Sequence, residues 1–205
     1  MLESFVKDNF DDLFSKWHVV LVDNLSDALT KRALLKICED PRFSYVKQPV
    51  PRSLKLNLFK GFNYGKTVLA NPKIIGVFET DLEPNIKLLE SMRDVLLSEQ
   101  ENGCCSVSPM YKWKDKFCYP THKHWHTDPV YKKTNYGTIT KVHAVPFLCS
   151  FWSPTVFAQI NNEKFREFYH LDSDFGKYLT ERGYLHLRLR DVSAVHTNGG
   201  KQSSR

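Results

Sequence analysis

The chain has 205 residues, 41% of them hydrophobic and 25% charged, with a formal net charge of +6. That size and balance predict one compact domain with a sizeable core and exclude wholesale disorder. The longest apolar run, Ala144 to Cys149, falls far short of the roughly 18–20 residues of a membrane span, so no integral membrane segment is expected.

The first residues, mixed and acidic, do not read as a secretory signal. Basic residues are spread without a block of like charge, so no nucleic-acid partner is expected. Five cysteines, an odd number without framework spacing, predict a reducing, cytoplasmic compartment.

In chain order, Leu2 to Trp17 place Phe5, Phe10, Leu13, Phe14 and Trp17 near helical spacing and predict an amphipathic helix. His18 to Val22 reads as a buried strand. Asn24 or Ser26 then caps a helix running to Cys38, and Phe43 to Val46 forms a second strand. Gly61, Asn63 and Gly65 predict a loop over Asn57 to Asn71, leading into a short helix. Lys73 to Phe78 is a third strand, and Pro84 opens a helix that reaches about Glu99 and stops at Gly103. This alternation implies a mainly parallel sheet. Residues 104–137 show little periodicity. Strands follow at Thr138–Val145 and Phe147–Trp152, helices at Glu163–Tyr169 and Ser173–Arg182, and a strand at Tyr184–Arg190; residues 199–205 read as a flexible tail.

The stretch Ile74 to Pro84 carries the most chemistry. A buried strand delivers Glu79 and Asp81 to its carboxyl end, just before a helix. In open α/β sheets ligands bind at that edge, and paired carboxylates there suit Mg²⁺ or Mn²⁺ holding a diphosphate. Taken alone, the same residues also read as a solvated acidic turn.

Three further segments occur in a telling order. Val19 to Asp27, with Asp23-Asn24-Leu25-Ser26, resembles the strand and "DDGS" turn of inverting nucleotide-sugar glycosyltransferases of the GT-A fold. That family includes chitin, cellulose and hyaluronan synthases and bacterial polysaccharide transferases. Asn63-Tyr64-Gly65 with Ala70-Asn71 resembles its "N-x-G…A-x-N" segment, and Val77 to Pro84 its "hhDxDxxP" metal motif. Leu171 to Phe175 with Arg182-Gly183-Tyr184 is similar to "ED-x-D-L…R…G-Y", and Asp191 to His196 to the closing "p-d-A-x-v-x-H".

The resemblance implies an α/β fold: a single GT-A-like domain over residues 1–198, with a twisted, mainly parallel sheet flanked by helices. It implies a nucleotide-diphosphate sugar as donor and Mn²⁺ or Mg²⁺ as cofactor. The acceptor hydroxyl would lie on a glycan, a lipid-linked molecule or a protein. By position, Asp23 would contact the nucleoside, with Asn63 and Gly65 also on the donor. Asp81 and His196 would serve the metal, Glu79 would support metal or ribose, and Asp172 would be the general base. Local readings stand beside these roles: Asp23 as a turn residue, Asp172 and Asp174 as helix-start carboxylates, and His196 as a surface histidine. The family's opening "I-P-T-Y-N" strand has no counterpart, Glu79 stands where Asp is usual, and Leu171 replaces the Glu of "ED". A degenerate, non-catalytic domain is the alternative these departures open.

Other clusters compete. Cys104, Cys105 and Cys118 with His122, His124 and His126 suggest zinc in a basic nucleic-acid-binding protein, although the spacing matches no closed structural site. His126-Thr127-Asp128 with His196 and Arg205 mimics a two-histidine, one-carboxylate iron site. Cys104-Cys105 with His143 or His170 faintly resembles a cysteine protease. Phe147, Phe151, Trp152 and Phe157 read either as an acceptor platform or as core.

Overall fold

A computed structural model describes residues 10–48, 54–79, 82–83, 85–113, 116–118, 129–158, 168 and 171–196. The chain divides into two compact units, residues 1–72 with 159–169, and 73–158 with 170–205.

In the first unit, β1 (Val19–Asp23) runs parallel to β2 (Phe43–Lys47), with Val19 opposite Phe43 and Asp23 opposite Lys47. The crossover is helix α1 (Ala28–Ile37), as the βαβ reading expects. Its cap is Asp27, whose carboxylate accepts from the Thr30 N–H at 2.7 Å, so the helix begins after both expected caps, Asn24 and Ser26. Residues 10–13 are helical, and the rest of the expected amino-terminal helix up to residue 9 lies outside the described residues.

The predicted loop over 57–71 is instead most of helix α2 (Leu54–Val68). Gly61 and Gly65, four residues apart, share the face turned to β1. A Cβ on Gly61 would stand 2.8 Å from Val22 Cγ2, and one on Gly65 would stand 3.9 Å from Val20 Cγ2. Close approach to the strand, rather than turn formation, accounts for Gly61, whereas a side chain at Gly65 would make only an ordinary contact. Tertiary packing here overrides their low helix propensity.

The second unit is an eight-stranded sheet. It contains β3 (Ile75–Phe78), β4 (Leu82–Glu83), β5 (Cys104–Trp113), β6 (Lys116–Cys118), β7 (Val130–Thr134), β8 (Gly137–Val142), β9 (Cys149–Trp152) and β10 (Leu185–His196). Their order is β3-β9-β5-β10-β8-β7, with β4 also on β10 and β6 also on β5. The sheet is mixed rather than mainly parallel: β5 and β10 run parallel, and every other described pairing in this sheet is antiparallel. Short connections impose this, since neighbouring strands joined by a tight turn such as that between Thr134 and Gly137 must reverse direction.

Helices α3 (Ile86–Glu99), α4 (Pro154–Ala158) and α5 (Leu171–Thr180) complete this unit. Asn85, rather than Pro84, begins α3 by capping the Leu88 N–H at 2.9 Å, and Leu88, Leu89, Met92, Val95 and Leu96 form its buried stripe. The expected helix at 163–169 and the tail at 199–205 fall outside the described residues.

Strand β5 went unread because its side chains from Cys104 to Tyr111 are all buried. A strand flanked on both edges and covered on both faces needs no polar alternation. Pro109, awkward in a central strand, sits opposite Leu189, where the β5–β10 register shifts.

Candidate active site

The acidic segment follows β3. The Glu79 N–H donates to the Leu148 carbonyl at 2.7 Å, extending the β3–β9 edge by one residue. Just past Asp81, β4 pairs antiparallel with the end of β10, placing Leu82 opposite His196 and Glu83 opposite Val195. Two motifs far apart in sequence thus meet along the backbone. Asp81 and the His196 side chain lie outside the described residues.

Asp172 lies in the first turn of α5 with Asp174, where the helix dipole favours carboxylates. Burial pushes its carboxyl up to about 6, against the opposing pull of the Phe147 backbone N–H. That partner is firmly held. The Phe147 ring stacks on Trp152 at 4.8 Å and on Phe175 of α5 at 5.8 Å between centroids. Phe147, Phe151, Trp152 and Phe157 are all buried, so these aromatics are core and not an exposed platform.

Asp23 ends β1 and is buried. One carboxylate oxygen accepts from the Ser26 N–H at 2.9 Å and the other from the Tyr45 hydroxyl at 2.6 Å. Burial alone would raise its pKa; the bonds from Ser26 and Tyr45 win and lower it, while Tyr45 is pushed up to about 12. Asn63 is exposed on α2, and Gly65 lies on the same helix facing β1.

The competing clusters fare differently. Cys104 is buried, which pushes its thiol up to about 12, and Cys105 is buried against His186 with its thiol also raised. Among the described residues no group of three or more His, Cys, Asp or Glu could hold a metal ion. His122, His124, His126, Asp128, His170 and Arg205 lie outside those residues.

A family model for glycosyl transferase family 2 matches residues 1–159. The chain belongs to that family. Its α/β fold, a multi-stranded sheet flanked by helices, is the GT-A fold of glycosyltransferases. Among solved structures it is similar to GalNAc-T7 with UDP, GalNAc and Mn²⁺, with a TM-score of 0.66 and 9% identity over 92% of this chain. It is also similar to S. aureus TarS 1-349, with a TM-score of 0.53 and 14% identity over 95% of this chain. The chain spans 39% of the GalNAc-T7 structure and 57% of the TarS structure. No curated protein sequence matches it. Among the described residues no helix is long and apolar enough to cross a membrane.

Two features of this site escaped the sequence reading. The Phe147 donor is a backbone group and leaves no side-chain signature. The Leu82–His196 pairing joins segments that no local pattern connects.

Proposed function

We propose that this chain, as a GT-A-like domain over residues 1–198, moves a sugar from a nucleotide-diphosphate sugar to an acceptor hydroxyl with inversion, aided by Mn²⁺ or Mg²⁺. The observation that carries the reading is the placement of Asp172 in the first turn of α5, where burial pushes its carboxyl up to about 6. Such a group is mostly ionised at neutral pH yet more basic than an ordinary aspartate. It therefore suits removal of the acceptor proton, a role worth ~10²–10⁴-fold in rate.

Asp81 and His196, with Glu79 in support, are the residues that would hold the cation. Carboxylate and imidazole donors suit Mn²⁺, and the β4–β10 pairing supports their proximity. When bound, the cation offsets negative charge growing on the departing diphosphate. Asp23, with Asn63 and Gly65, would meet the nucleoside end of the donor. The acceptor hydroxyl, deprotonated by Asp172, attacks opposite the leaving group, and this inverts the anomeric centre. The free thiols of Cys38, Cys104, Cys105 and Cys149 agree with a cytoplasmic setting.

A thermal-shift panel of UDP, GDP and their sugar conjugates, with and without Mn²⁺, tests this. Ligand at 100 times its dissociation constant adds about 2.7 kcal/mol of stability. A shift that needs both the metal and an intact Asp81, lost in Asp81→Ala, supports the donor site. No shift with any nucleotide overturns it and leaves a non-catalytic domain.

A further inference from the structure

His186 sits in β10, 1% exposed, between Gly176 of α5 and Ser106 of β5. Its Nε2 lies 3.1 Å from the Gly176 carbonyl oxygen, which can only accept, so the ring proton is on Nε2. Nδ1 is then the acceptor, and the Ser106 hydroxyl donates to it at 2.6 Å. The ring also meets Trp152 edge to face at 6.0 Å. Burial pushes the imidazole down to about 4, keeping it neutral at physiological pH.

Gly176 is one helical turn after Asp172. There α5 touches the segment leading to Phe147: a Cβ on Gly176 would stand 2.3 Å from Ala144 Cβ and 2.7 Å from the His143 carbonyl oxygen. The helix is thus gripped at Gly176 from the sheet by His186 and from the side by Ala144. Three residues beyond Ala144, the Phe147 backbone N–H favours the ionised Asp172 carboxylate.

We propose that His186 is a positioning residue for Asp172: through Gly176 it sets how α5 seats on the sheet, and so fixes where the first turn of that helix holds the Asp172 carboxylate. A mid-helix carbonyl already serves its own helix, so a buried imidazole aimed at it adds a directional tie that apolar packing lacks. The purpose of this tie rests on Asp172 being the base; the tie itself does not.

The test is a carbon-detected NMR titration of the Asp172 carboxyl in the full chain, with the Phe147 amide proton followed alongside. Cys105 and His143 are the titratable groups nearest the imidazole, and their signals are followed as controls. In the unmodified chain the Phe147 amide tracks the Asp172 carboxyl. His186→Gln, which can place an N–H near the former Nε2, preserves both responses. In His186→Leu the Asp172 midpoint moves by about half a pH unit or more and the Phe147 amide ceases to follow it. If His186→Leu melts lower but leaves midpoint and amide response unchanged, His186 merely stabilises the fold and the proposal falls. If His186→Leu does not fold, Ser106→Ala is read by the same two signals, and no change in either overturns the proposal. Nucleotide release from the stabilising sugar nucleotide by Asp172→Asn separates the two readings. Retained turnover would sink the base and leave the His186 tie standing.

Discussion

The backbone N–H of Phe147 faces the carboxylate of Asp172 and favours its ionised form, while burial favours the neutral one and prevails. Asp172 is therefore held where its charge costs the fold something.

Asp172→Asn should lose turnover by ~10²–10⁴-fold while becoming more stable. A carboxyl raised from 3.8 to about 6 on folding contributes stability that is present below about 3.8 and lost as pH rises through about 6. The asparagine never ionises, so at pH 7–8 it should gain about 3 kcal/mol, read as several degrees in melting temperature. The gain should vanish near pH 4. A variant no more stable at pH 8 than at pH 4, relative to the parent, contradicts the buried-charge account.

His186 works in the opposite direction. Its imidazole, lowered from 6.5 to about 4, contributes stability that is present above 6.5 and lost as pH falls toward 4. The fall is worth about 3 kcal/mol. His186→Gln should flatten that acid limb in urea melts taken between pH 7 and 4. The two groups oppose each other between about pH 4 and 6, so the parent protein alone shows neither effect cleanly.

Two glycine substitutions on helices should separate. Gly176→Ala puts a Cβ 2.3 Å from Ala144 Cβ and should cost 1–3 kcal/mol or more, because core and backbone must both move. Gly65→Ala meets only Val20 Cγ2 at an ordinary 3.9 Å and should gain about 0.5–1 kcal/mol from helix propensity. Thermal melts of both variants decide; equal losses would mean that α2 packs more tightly on β1 than the geometry gives.

Leu25, in the turn after Asp23, has φ 68. A leucine in that left-handed region costs about 1–2 kcal/mol. Leu25→Gly should therefore raise the melting temperature, the strain relieved outweighing the entropy that glycine adds to the unfolded chain. A lower melting temperature would mean that packing of the 41%-exposed leucine matters more than its backbone.

The sequence by itself was enough for β1, α1, β2, β3 and the extent of α3 to about Glu99. It also carried the resemblance to a glycosyltransferase family, which the family match over residues 1–159 bears out. Local periodicity and capping chemistry encode such features, because each is decided within a few residues. Only tertiary structure decided the rest. Strand β5 is covered on both faces, so its sequence carries no alternation. Helix α2 holds Gly61 because β1 lies against it, a reason invisible from the residues alone. The Leu82–His196 pairing and the His186 bond to Gly176 both join segments distant in the chain through backbone groups. Every residue carries those groups, so the sequence could not say which of them would meet; the fold settles that by bringing strand, loop and helix into register.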